Sequence, residues 1–189
     1  MRQNPARRTA LLDGAIDVLA REGARGLTLR AVDKAAAVPV GTASNYFANR
    51  GEMLAQVMQR VLERLAPDPE EVTATLASGT PREVTAALLR QLLERTRRER
   101  RCHLALLEMR LESTRRPELN AELTGFFEAQ LKGNLEFHLG SGLPGDRDGV
   151  VVLYLAMLGL IVDDLTVPGL LAPYGPERLV DVIVGRALP

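Results

Sequence analysis

Apolar residues recur at helical spacing from near the start of the chain. Leu12, Ala15, Ile16 and Leu19 follow the i, i+3, i+4, i+7 rhythm of one helix face, which predicts a helix of about fifteen residues. The pattern stops at Glu22-Gly23, where glycine supplies the left-handed residue that closes a helix. Thr28 then stands as the N-cap of a short helix from Leu29 to Ala36, and Pro39 breaks the chain before a second short helical stretch, Val40 to Tyr46. From Glu52 onward, Leu54, Val57, Met58, Val61, Leu62 and Leu65 define a strongly amphipathic helix that Pro67 and Pro69 end. Further helices are predicted at 81–97, 100–114, 117–138, 146–166 and 176–188, each opened or closed by Pro, Gly or Asp. No stretch alternates β-branched and aromatic residues between turn pairs, so the predicted fold is all-α. Pro, Gly and Ser concentrate between Ala66 and Thr80, which marks a boundary that the preceding amphipathic helix bridges.

Composition narrows the classes. The chain has 189 residues, 46% hydrophobic and 25% charged, a globular profile that excludes collagen, disordered tails and membrane bundles. Its longest apolar run, Val150 to Val162, holds 13 residues. At ~1.5 Å per residue the run reaches about 20 Å against the ~30 Å of a hydrocarbon core, so it is read as too short to span a membrane. Because the run is apolar on all sides, it calls for cover on all sides, from the chain itself or from a partner. One cysteine, Cys102, forms no staple, and Met1 to Arg8 is polar and basic with no apolar run behind it, so the expected location is the cytoplasm.

A formal charge of zero argues against a nucleic-acid binder until it is divided by position. Residues 1–60 carry nine Lys and Arg against five acids, net +4, whereas the other 129 residues carry fifteen against nineteen, net −4. A basic head on an acidic body suits phosphate binding by the head alone. The motif within that head is TLRAVDKAAAVPVGTASNYF, Thr28 to Phe47. Ala31, Ala35, Ala36 and Ala37 permit the close crossing of a helix-turn-helix, and Leu29, Val32 and Val38 face a shared core. The second helix is predicted to present Gly41, Thr42, Ser44 and Asn45, short groups that let a backbone approach the major groove and bond base edges or phosphates. The alternative for the same pattern is an alanine-rich helical hairpin without a ligand.

The run GLTLRAVDKAAAVPVGTASNYFANRGEMLAQVM, with the helix Ala10 to Gly23 before it, closely resembles the N-terminal domain of the TetR family of transcriptional regulators. The resemblance rests on the T-x-R-x-V opening, the V-x-x-G-T turn, the Tyr46-Phe47 pair, and Arg50, Glu52, Met53 and Leu54. It departs from the family at Ala37, where Gly is usual, at Val40, where a polar or basic residue is common, and at Ser44 and Asn45. The resemblance implies an N-terminal three-helix helix-turn-helix domain, 1–52, and a helical effector-binding and dimerisation domain, 53–189. It implies that Tyr46 and Arg50 touch phosphates and that Arg30 and Thr42 approach bases or backbone. The expected DNA-facing set is Thr28, Arg30, Val40, Gly41, Thr42, Ser44, Asn45, Tyr46 and Arg50. Arg7 and Arg8 are placed to reach the backbone or a minor groove, or else form a solvated tail.

A recognition element read by a two-fold dimer needs an interface, which Val150 to Val162 and the final helix, with Leu179, Val180, Ile183, Val184 and Ala187, are expected to supply; a central helix of a monomer is the alternative. The resemblance further implies a pocket for a small apolar effector, with Leu89, Leu92, His103, Leu107, Met109, Arg110, Phe126, Phe127 and Met157 as candidate lining residues, against core packing as the plainer role for each. No metal-ligand spacing accompanies His103 and Cys102, and no cofactor motif or catalytic set stands out. The run Arg95 to Arg101 is read as a solvated helix end. The expectation is a ligand-responsive homodimeric repressor of a double-stranded operator. Two other classes stay open: an all-α enzyme using Asp163-Asp164 to hold a metal, and an adaptor whose helix-turn-helix binds protein.

Overall fold

The computed structural model describes residues 4–188, and among these every regular element is helical. They form two compact units, residues 4–66 with 99–126, and 67–98 with 127–188.

The first unit is built on α1 (Pro5–Gly26), against which α2 (Leu29–Ala35), α3 (Arg50–Leu65) and α6 (Arg100–Ser113) all pack. Asn4 caps α1 by accepting from the Arg7 N–H, and Pro5 takes the first helical position, where its missing N–H costs nothing. The predicted stop at Gly23 is a kink rather than an end: Gly23 takes φ 70°, ψ −177°, and the chain makes one further turn to Gly26. Leu11, Ala15, Ile16, Leu19, Val32, Phe47, Met53 and Val57 are buried on the facing sides of these helices. Asp13 of α1 accepts from Arg60 Nε at 2.9 Å and from Arg64 Nη1 at 3.3 Å, and Arg64 Nη2 reaches Glu99 at 2.6 Å, so one line of charges fastens α3 to its neighbours. Cys102 lies in this core, where burial pushes its thiol pKa up to about 12.

In the second unit α5 (Pro81–Arg98), α8 (Arg147–Thr166) and α10 (Pro176–Ala187) share one apolar core, which includes Leu93, Leu153, Met157, Leu160, Ile161, Val180 and Val184. The expected linker contains a helix, α4 (Pro69–Leu76). Asp68 accepts from the Glu70 N–H, Pro69 opens the helix, and Glu70 and Glu71 complement its positive end, so a stretch read by composition as loop has a complete start signal. Residues 117–140 form α7 (Pro117–Gly140), and the short α9 (Pro168–Leu171) precedes α10. Arg97 is an ion-pair hub and no solvated helix end: it binds Asp164 of α8 through two N–H donors at 2.7 Å and also Glu177 of α10. Those hydrogen bonds, Asp164 first, raise the Arg97 pKa further.

The surroundings of α8 bear on two sequence readings, its length and its cover. The helix has 20 residues, a length and composition that match a membrane span, because residues flanking the apolar run extend it. Its placement is that of a core helix on one side, with Val150, Leu153, Met157, Ile161 and Leu165 buried and Asp164 held by Arg97. On the other side Val152 and Leu155 are more than half exposed, so cover on all sides is not provided within the chain. Val180 and Val184, expected between chains, instead lie inside the unit's own core, and α10 exposes Val182.

The end of α2 carries a backbone irregularity that its sequence does not suit. Val38 donates to the Asp33 carbonyl at 3.0 Å and Ala37 to the Lys34 carbonyl at 3.2 Å, a Schellman closure that requires a left-handed residue at position 37. Ala37 adopts φ 52°, the one non-glycine residue with positive φ among those described. An L-residue there costs roughly 1–2 kcal/mol, part of which glycine returns through its looser unfolded chain. Ala37→Gly is expected to raise stability by about 0.5–1 kcal/mol, read as a higher urea midpoint at unchanged slope.

Candidate nucleic-acid interface

The turn between α2 and α3 is where the predicted recognition helix should lie. Thr28 caps α2 as expected, its hydroxyl oxygen accepting from the Ala31 N–H at 3.1 Å. The next segment departs from prediction: only Ala43–Asn45 winds, as a single 3-10 turn, in place of a helix over Val40 to Tyr46. Local side chains explain the difference, since each bonds a nearby carbonyl and so competes with a helical ladder. The Thr42 hydroxyl donates to the Pro39 carbonyl at 2.6 Å, and the Ser44 hydroxyl to the Gly41 carbonyl at 2.8 Å. Asn45 Nδ2 donates to the same Gly41 carbonyl at 3.1 Å. Gly41 itself takes φ 91°, a conformation open to glycine at little cost.

Beside the turn's own short-range backbone bonds, one buried carboxylate holds it. Asp33, on α2 and 1% exposed, accepts from the Gly41 N–H through one oxygen and from the Ala43 N–H through the other, both at 2.7 Å. Two charge-assisted bonds of this length tie the turn to α2 and account for the burial of an ionisable group. Sequence reasoning passed over Asp33. The available signal was an acid on the face that otherwise holds Val32, eight residues ahead of a glycine.

Around this anchor the expected DNA-facing residues divide. Arg30, Val40, Gly41, Ser44 and Asn45 are exposed, and Thr42 and Tyr46 are half-buried. Exposed cations of the same unit, Arg7, Arg25, Arg30 and Lys34, supply positive charge, and Arg8 is held by Gln56 at 2.9 Å. The Tyr46 hydroxyl oxygen accepts the Asn4 N–H at 3.2 Å, which fastens the start of α1 beside the turn and keeps the phenolic O–H as a donor. Arg50 behaves differently from a phosphate-seeking side chain. It opens α3 but turns its guanidinium to the Ala24 carbonyl and to within 3.6 Å of Glu112, which also accepts from Arg116 at 2.7 Å. The division of charge survives among the described residues: the unit containing this surface carries net +3 and the other unit net −4.

The candidate effector residues fall in both units. Leu89, Leu92 and Met157 belong to the core of the second, and Phe127 is half-buried in it. His103, Leu107, Met109 and Arg110 follow one another along α6 in the first, with Met109 fully buried, and Phe126 is half-buried there. Two surface clefts of about 430 and 440 Å³ are lined by other residues, Asp13, Asp17, Arg64 and Arg101 among them in one and Arg115 and Asn120 in the other. Asp164, weighed as half of a metal pair, has its carboxylate engaged by Arg97, and no group of three or more His, Cys, Asp or Glu fit to hold a metal occurs among the described residues.

Asp33→Asn would set an amide N–H₂ against one of the two turn N–H groups. It is expected to destabilise the protein by about 1–3 kcal/mol in denaturant unfolding. It should also narrow the ratio of selective to non-selective DNA affinity while leaving the salt slope, which counts phosphate contacts, unchanged. A steeper loss of slope than of selectivity would show that the carboxylate acts elsewhere.

Comparison with known proteins agrees with this architecture. Residues 11–57 match the bacterial regulatory proteins of the tetR family, and residues 80–189 match the tetracyclin repressor-like C-terminal domain. The HTH-type transcriptional regulator BetI of Rhizobium meliloti (strain 1021) is 29% identical over 142 residues, covering 75% of this chain and 68% of the relative. Among solved structures, a TetR-family member from Streptomyces coelicolor A3 superposes with a TM-score of 0.71 at 22% identity, covering 98% of this chain and 99% of the other. The multidrug binding protein EbrR complexed with malachite green superposes with a TM-score of 0.68 at 22% identity, covering 98% and 99%. With both domains matched in order and the second match alone spanning more than half of its length, the chain belongs to the TetR family and is a DNA-binding transcriptional regulator.

Proposed function

We propose that the chain is a homodimeric, ligand-responsive repressor that binds a double-stranded operator and leaves it when a small apolar effector is bound. The turn anchored by Asp33 carries this reading, because it is a rigid, exposed, glycine-containing surface flanked by exposed Arg30 and Lys34 in the positively charged unit. In this reading Tyr46 donates its hydroxyl to a phosphate and the exposed cations add sequence-independent attraction. Arg50 joins them by exchanging Glu112 for a phosphate oxygen. The remaining DNA-facing residues, Thr28, Val40, Gly41, Thr42, Ser44 and Asn45, border the groove. The chain divides functionally as the resemblance implies, a head at 1–52 and an effector-binding and dimerising part at 53–189.

Dimerisation is supported by the uncovered apolar sides of α8 and α10, where Val152, Leu155 and Val182 are 53%, 58% and 42% exposed. Response to a ligand is supported by the likeness of fold to EbrR, a protein whose structure holds malachite green. The working location is the cytoplasm, where DNA and effector meet.

Binding to duplex DNA from the protein's own promoter region tests the core of the proposal. Affinity should exceed that for random duplex by at least about 10³-fold at physiological salt and should fall linearly on a log-log plot as salt rises. Equal affinity for both duplexes sinks it. For the dimer, Leu155→Glu is expected to shift sedimentation from dimer to monomer and to weaken operator binding by more than about tenfold, since one head then binds alone. A variant that remains dimeric places the interface elsewhere.

A further inference from the structure

Val40 is 76% exposed, the most exposed large apolar side chain among the described residues, and it stands on the turn between α2 and α3. An isolated surface valine needs no explanation in general. Here its setting is unusual in three respects. The backbone on either side is fixed: Pro39 precedes it with its carbonyl accepting from Thr42, and Gly41 follows with its N–H on Asp33. Valine is β-branched and stiff at χ1, so two methyl groups are held outward with little rotamer freedom to lose on contact. Finally, the polar side chains beside it are turned to the protein. The hydroxyl protons of Thr42 and Ser44 both go to turn carbonyls, and Asn45 gives one amide N–H to Gly41.

These features define what the turn can read. Guanine offers two acceptors in the major groove, N7 and O6, and is recognised by outward donors such as Arg or Lys. The hydroxyl protons of this turn are committed to its own carbonyls, and its most prominent group is apolar. Of the four bases only thymine carries an apolar group, the C5-methyl, on its major-groove edge.

We propose that Val40 is a specificity-determining residue that selects a thymine in each operator half-site by contact with the C5-methyl group. The inference rests on the DNA-facing role assigned above to this turn. The ligand chemistry is a 5-methylpyrimidine in duplex DNA, which thymine and 5-methylcytosine share.

The test uses the full-length protein and duplexes enriched by it from a random-sequence library. In the enriched site each thymine is replaced in turn by deoxyuridine, which removes only the methyl, and affinity is measured for wild type and for Val40→Ala. One replacement per half-site should weaken wild type about fourfold, the loss of one buried methyl, and should weaken Val40→Ala by less than twofold. Placing 5-methylcytosine opposite guanine at that position should recover part of the loss relative to unmethylated cytosine for wild type only. Uracil effects of equal size in both proteins, or none at any position, overturn the inference while leaving selective DNA binding intact. A library that yields no enriched sequence overturns the DNA-facing role of the turn and this inference with it.

Discussion

The turn between α2 and α3 is too short and too rich in Thr, Ser, Asn and Gly to hold itself as a helix, so its shape depends on the carboxylate of Asp33 beneath it. That dependence links the local chemistry to the whole first unit. Asp33 is positioned because α2 is capped at Thr28 and closed by the Schellman turn at Ala37, and because Val32 beside it packs into the core against α1. A turn made in this way is fixed in shape without being helical. The anchoring acid is out of reach of water, so its two bonds are screened little by salt.

A second constraint acts from α6. Glu108 accepts the Ala24 N–H at 3.3 Å, just past the kink at Gly23, and Glu112 lies against Arg50 at the start of α3. Two acids one turn apart on a single helix thus hold the end of α1 and the beginning of α3. Glu112 is itself surrounded by Arg115 and Arg116, at 3.5 and 2.7 Å. Arg50 is therefore one of three cations sharing one carboxylate.

Much of this fold was legible in the chain. The cap at Thr28, the break at Pro39, the amphipathic run from Leu54 to Leu65, and the cap at Asp146 all appear where the pattern put them, because each depends on residues within a few positions of one another. Helix α4 was missed although Asp68, Pro69, Glu70 and Glu71 announce it, since the composition of the surrounding stretch outweighed its start signal. The missing recognition helix and the inward turn of Arg50 were not legible, for a different reason. Asp33 acts across eight and ten residues and Glu112 across 62, and one-dimensional periodicity carries no trace of a partner at such a distance. Likewise the uncovered sides of α8 and α10 follow from which of their apolar residues the unit's own core takes, Val180 and Val184 among them, and not from apolarity itself.

The membership of α6 in the first unit alters what a transferable head would be. A head taken as the N-terminal segment alone would be cut in the Pro-rich stretch after α3. Such a cut leaves Glu99, Glu108 and Glu112 on the recipient side. A grafted head would then meet a foreign helix in place of the one that holds Ala24, Arg50 and Arg64, and Ala24 would lose the acceptor of its N–H. The portable module is discontinuous in sequence, residues up to Ala66 plus Glu99–Phe126, and a hybrid that keeps both pieces preserves the contacts that set the angle of α3.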